Sequence, residues 1–384
     1  MGRQDRRKWG GFAHFLIELI MGATAIPIPS RPSPFGNPQS LVGKTFMHPA
    51  IDYLLVGGAI TIPIFIAVYF YPGLASFDPS FTIYTFILIN GAHFAASTLR
   101  LYTKPGAKEE FPFLSWGFPV ICLLAVGAGL YWEVLGRNLT ALYLTWSPYH
   151  YAAQTYGVAV MYAMRSGAKL DSHDKNLIWW VCLLPFVFAL LTASDRGLAW
   201  LVSPEWLASM PVLSSVHRSI VGMVGIATFG LPLLLFWQLH RLRGKNVPLI
   251  VLVLQITNGI WWLTVDYLSA FWWSAIFHSI QYLIIVVALH VKERMAKENP
   301  QLGALHRPEF YIVGFYVMSF VLAGFLFFVL PMAYVPLGFS LGQSILMMTV
   351  IINLHHFIVD GFIWRTKPVR SSVSSPQHGV PSPA

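Results

Sequence analysis

The run INLHHFIVDGFIWR, residues 352–365, sets two histidines and an aspartate among side chains that are otherwise mostly apolar. Three more apolar runs carry a histidine each: His93 in FILINGAHFAASTLRLY, His150 in YLTWSPYHYAAQTYG and His278 in FWWSAIFHSIQYLIIV. Ionisable groups in such surroundings are costly to bury, and they commonly mark a site or a path. Several imidazoles with one carboxylate and no sulfur suit iron, copper, zinc or manganese. The chemistry expected is metal coordination by His93, His150, His278, His355, His356 and Asp360, with Asp360 and His355 nearest to any reaction. Two plainer readings compete. One is a proton or substrate pathway, and the other is packing, since a polar residue in a membrane helix is often interhelical glue worth about 0.6 kcal/mol.

Residues three or four apart share a helix face, and four of the five intramembrane histidines, all but His355, have such a polar companion. Asn90 and Ser97 accompany His93, Ser147 and Gln154 accompany His150, Gln281 accompanies His278, and Asn353 and Asp360 accompany His356. A metal-bound imidazole usually donates its second ring N–H to a carboxylate or an amide. Asn90, Gln154, Gln281 and Asn353 are therefore expected behind the ligands, with Asp360 either such a partner or a ligand itself. His355 and His356 project about 100° apart on a helix. They cannot both face one ion along one direction, so one would ligate and the other serve a second ion, a hydrogen bond or a substrate.

The remaining polar and aromatic residues read more simply. His217, beside Arg218, falls at the outer start of a span, and His173, His240, His290 and His306 fall at cytoplasmic ends or loops. His14 and Glu18, four apart in HFLIEL, would reach the cytoplasmic mouth of the site on a dipping helix. Gln255 and Asn258 read as glue. Trp261, Trp262, Trp272 and Trp273 flank an outer turn, where an interfacial aromatic belt is expected. Tyr149, Tyr151, Tyr156, Phe277, Tyr282 and Phe357 would pack the core or line an apolar pocket.

The elements that must position these groups are apolar runs of about 20 residues. The chain has 384 residues, 56% hydrophobic and 11% charged, and ten such runs lie near 50–72, 79–100, 112–135, 139–164, 177–194, 216–240, 248–266, 268–290, 310–335 and 340–364. The expected fold is an all-α, polytopic membrane bundle of about ten transmembrane helices. Connections after the even-numbered runs carry the Lys and Arg, among them Arg100, Lys104, Arg165, Lys175, Arg241, Arg243, Lys292, Arg294, Arg365 and Lys367, while those after the odd-numbered runs are nearly bare. By the positive-inside rule both termini are cytoplasmic, and the net charge of +9 reads as topology, not as a nucleic-acid surface. Residues 1–49 are read as an interfacial helix over 11–27, with a cleaved signal and an eleventh span as the rivals, followed by a Pro-rich linker. Residues 50–365 form the bundle, and 366–384 a solvated, disordered tail. Cys122 and Cys182 both lie in apolar runs, and no disulfide, zinc-ribbon, Rossmann or Walker pattern occurs.

Histidines from four spans in one layer resemble, in architecture alone, membrane non-haem iron enzymes such as the bacterial carotene-cleaving oxygenases, where single histidines from several spans bind one iron. That family's motifs, and the HxxxH and HxxHH boxes of membrane desaturases, are not found. The expected function is a His-ligated membrane metalloenzyme, a non-haem iron oxygenase or oxidoreductase acting on a lipid or isoprenoid-like substrate and drawing on a redox partner that the residues do not identify. Haem, in an electron carrier or quinol oxidoreductase, and zinc are the alternative cofactors, and a proton-coupled transporter is the third reading. The expected place is a multi-pass position among membrane lipids, in the inner membrane if the chain is bacterial.

Overall fold

The computed structural model describes residues 41–75, 84–104, 106–194, 196–296 and 307–363, and among them no strand occurs. In chain order, α1 is Pro49–Val56 and α2 is Thr61–Phe70. Helix α3 is a π-helical segment, Phe86–Gly91, that runs into Ala92–Thr103. Then come α4 (Phe113–Tyr131), α5 (Glu133–Arg165), α6 (Ser172–Thr192), α7 (Pro211–Leu242), α8 (Leu249–Thr264), α9 (Tyr267–Met295), α10 (Pro308–Leu337) and α11 (Leu341–Ile363). Helices α4, α6, α7, α9, α10 and α11, six in all, are each long and apolar enough to cross a membrane. The pair α1 and α2 passes as one span bent by 45°. Each of the ten apolar runs thus falls on a helix, but α8 is short at 16 residues, and α3 and α5 are diluted by the polar residues around His93 and His150. Residues 1–40, with His14 and Glu18, lie outside the described residues, as do His306 and the tail from 364.

Local chemistry explains the breaks. Gly58, between α1 and α2, has φ 72°, a left-handed conformation that favours glycine. A Cβ there would also come within 3.0 Å of the Thr257 hydroxyl on α8. Pro148 stands inside α5 and has no N–H for the carbonyl of Leu144. Tyr267 of α9 donates its hydroxyl to that carbonyl at 2.8 Å, so the helix stays continuous through the proline and is tied to α9. Helix α6 starts on a capping box in which Asp171 and Asp174 each accept the other's backbone N–H.

The apolar core falls into two main parts. One joins α1 and α5 to α9 around Val56, Tyr162, Ile178, Leu235, Ile250 and Ile285. The other joins α3, α4, α10 and α11 around Phe94, Val126, Phe327, Met348 and Ile351. Helices in lipid approach closely where their side chains are small, and Ala92, Ala95 and Ala96 of α3 are fully buried. The two parts meet along α3, α5, α9 and α11.

The helix ends that carry basic residues are tied to one another. Arg100 makes a two-pronged pair with Glu293 at 2.8 and 2.9 Å. Lys104 donates to the Ile363 carbonyl, Arg165 to that of Thr45, and Arg243 and Lys245 both reach Asp174. The tryptophans correct a sequence expectation. Trp261 and Trp262 are buried, and Trp261 stacks on Trp273 at 4.7 Å, so this group packs against other helices more than it forms a belt at the lipid surface.

Candidate metal centre

Four helices deliver one imidazole each to a single point: His93 from α3, His150 from α5, His278 from α9 and His356 from α11. One nitrogen from each ring lies within 4.8 Å of the other three, close enough to hold a metal ion. All four residues are buried, and His93 and His356 have no exposed surface. The rings close a circuit of edge-to-face contacts, with centroids 4.8 Å apart for His93 and His278, 4.9 Å for His278 and His150, 4.8 Å for His150 and His356, and 4.4 Å for His356 and His93. Tyr282, Tyr151, Phe357 and Phe94 press on this circuit from outside, their rings 4.4, 4.5, 4.5 and 5.2 Å from those of His93, His278, His150 and His356.

His356 is held at both nitrogens. The Ser97 hydroxyl donates its one proton to the Phe94 carbonyl at 3.0 Å. Its oxygen therefore accepts from Nδ1–H of His356, 2.8 Å away. That bond fixes the tautomer and turns the Nε2 lone pair inward, where it lies 3.1 Å from Nε2 of His150. Two ligands about 2.1 Å from one ion lie about 3.0 Å apart at a right angle, about 3.4 Å apart in a tetrahedron and about 4.2 Å apart across the ion. Nothing in the protein pairs either ring nitrogen of His93 or Nε2 of His278. A buried polar atom left unpaired costs about 1–3 kcal/mol, and a cation among these nitrogens would remove that cost.

Asp360 sits one turn after His356, its Oδ2 3.5 Å from Nε2 of that ring. Its other oxygen accepts from the Tyr282 hydroxyl at 2.8 Å. The four-imidazole group forms without it.

Several expected residues are placed elsewhere. His355 does not join the group: the turn between neighbouring helical residues points it at α4, where it stacks on Phe118 at 5.1 Å. Among the described residues none of the four amides makes a hydrogen bond to an imidazole ring. Gln154 donates to the His278 carbonyl at 3.1 Å and to the Gln281 side chain at 2.7 Å, and Gln281 donates to the Val56 carbonyl at 2.5 Å, so this pair ties backbones of α5, α9 and α1 together. Asn353 donates to the Thr349 carbonyl of its own helix. Asn90 is buried with its side-chain oxygen unpaired. Ser97, noted on sequence as a companion of His93, serves His356 across the helix interface. The other histidines keep plain partners: His217 meets the Leu191 carbonyl, His240 the Val247 carbonyl, and His290 packs on Phe315. Gln255 and Asn258 both reach Cys182 of α6, as interhelical glue should.

No family model, no curated protein and no solved structure matches the chain.

Proposed function

We propose that His93, His150, His278 and His356 are the ligands of one metal ion, that the ion is non-haem iron, and that the protein is a membrane oxidoreductase for a hydrophobic substrate. The observation that carries this reading is the convergence of four buried imidazoles with the ring nitrogens of His93 unpaired. An all-imidazole set suits iron, copper, nickel or zinc. A metal that takes more than four ligands would keep positions open beside four imidazoles, which favours iron over a closed tetrahedral zinc site. Open positions are what oxygen chemistry on a lipid-soluble substrate requires. Haem is disfavoured because edge-to-face rings at 4.4–4.9 Å leave no slab for a macrocycle. Asp360, held by Tyr282 beside His356, would accept or return a proton at Oδ2.

The substrate class rests on the surroundings. Aromatic rings enclose the imidazoles. An apolar groove of about 310 Å³ opens between α3 and α10, lined by Phe86, Ile87, Gly91, Ala323, Gly324 and Phe327 among others. Phe327 lies 6.0 Å from Phe94, whose ring is 5.0 Å from His93, so two packed rings stand between the groove and the imidazoles.

Metal analysis and a visible spectrum of the detergent-purified protein test the assignment together. The expected result is iron near one per chain without a sharp Soret band, and sharply less metal after replacement of His93, His150, His278 or His356 by Ala, with His173→Ala unchanged. Wild-type protein with neither metal nor haem, or four variants with full metal, sinks it.

A further inference from the structure

The side of His278 turned towards α8 borders a cavity that the metal reading does not use. It is about 40 Å³ in volume and lies between α5, α8, α9 and the break between α1 and α2. Its lining includes Thr61, Thr155, Thr257, Asn258, Ser274 and Gln281, an unusual number of polar groups for a space among apolar helices. Trp261, Tyr151, Phe277 and His278 complete its walls.

The hydrogen-bonding state of that lining defines an occupant. Ser274 and Trp261 are more than nine-tenths buried, and neither the Ser274 hydroxyl nor the Trp261 indole nitrogen has a partner in the protein. Both can donate inward. The hydroxyl protons of Thr155 and Thr257 go to backbone carbonyls, of Tyr151 for the first and of Gly57 or Val253 for the second, which leaves both oxygens as acceptors. No Asp, Glu, Lys or Arg lines the space. A cation would meet the indole N–H, and an anion would find no positive charge. A neutral molecule that both donates and accepts fits both kinds of group. A buried water takes at least about 10–15 Å³ of such space and needs two to four polar partners, so the cavity holds about two or three.

We infer that this cavity is a water chamber built at the helix break to keep ordered water against His278. Resting on the metal reading, the inference adds that the chamber supplies the water that fills an open coordination position and carries protons away from the centre. The break makes the chamber, since Gly58 brings the end of α1 against Thr257.

Radiolytic hydroxyl labelling read by mass spectrometry tests it, because activated buried water marks side chains beside it. The full chain in detergent is irradiated as wild type and as Ser274→Ala, Ser274→Val and Ser274→Leu, which fill the chamber stepwise, with metal content measured on each sample. Trp261 and Phe277 should label in the wild type and in Ser274→Ala, lose label in Ser274→Val and lose it fully in Ser274→Leu, while metal content holds. The graded series guards against a single variant that fails to fold. Wild-type labelling of Trp261 no higher than that of Phe315, a buried ring away from the chamber, overturns the inference whatever the metal content. Labelled Trp261 in a chain that binds no metal keeps the chamber and removes the metal reading instead.

Discussion

At the scale of single residues, the decisive contrast is between His355 and His356. Neighbours in sequence, one ends in the four-imidazole group and the other on the face of Phe118. The residue types that converge were legible in the sequence, because an imidazole inside an apolar run has few cheap explanations. Their partners were not. Spacing of three or four residues reports only the companions on a histidine's own helix, and the groups that orient His356 come from other helices: Ser97 from α3, and Tyr282 from α9 through Asp360. Three of the four amides picked out by spacing, Gln154, Gln281 and Asn353, instead donate to backbone carbonyls, which spacing cannot distinguish. Ser97→Ala therefore tests the orientation argument directly. Removing the acceptor at Nδ1 should weaken metal binding about 10–100-fold, the range for loss of a ligand's supporting hydrogen bond, measured by competition with a chelator, while Ser97→Thr should restore most of it. His355→Ala should leave affinity unchanged and lower thermal stability through the lost contact with Phe118. A Ser97→Ala protein with wild-type affinity would mean that packing alone aims His356.

At the scale of elements, two of the four helices that carry the site, α3 and α5, fall short of the other two as membrane spans. Helices α3 and α5 lose apolar character through the polar residues that surround His93 and His150, so the neighbourhood of the imidazoles is what marks them as poor spans. Helix α3 is also irregular where it matters: its π-helical segment Phe86–Gly91 ends two residues before His93, and such segments recur at functional sites. The same segment lines the groove against α10. Neither feature could be read from the sequence, since a π-helical turn has no clear residue signature and a groove needs two helices. Gly324 offers a way to test the groove without touching the centre. A Cβ at Gly324 meets nothing within 4 Å, so Gly324→Leu should fold, keep its metal and block the groove. A bound spin-labelled or photoreactive hydrocarbon probe should then lose its contact with Phe327. Undiminished labelling of Phe327 would show that the probe does not bind in the groove beside Gly324.

At the scale of the whole molecule, the charge pattern and the helix contacts bear on one question, which side of the membrane each loop occupies. Lys and Arg follow every second apolar run in the sequence, and in the fold these ends meet: Arg100 with Glu293, Lys104 with the end of α11, Arg165 with Thr45, and Arg243 with Asp174. At the other end of α5 from Arg165, Trp200 bonds Asn138. This pattern is what ten alternating crossings would give, although among the described residues six helices reach a spanning length and hydropathy individually. We propose ten spans with both termini in the cytoplasm, since basic loops are retained on that side. Under this arrangement α3, α5, α9 and α11 all run from outside to inside, which lets His93, His150, His278 and His356 meet at one depth. Reporter domains fused between α7 and α8, at 243–246 of RLRGKN, and between α10 and α11, at 338–340 of AYVPLGFS, should report opposite sides, the first cytoplasmic. Reporters on the same side would break the alternation between α7 and α10, and with it the shared direction of α9 and α11 on which the common depth of His278 and His356 depends.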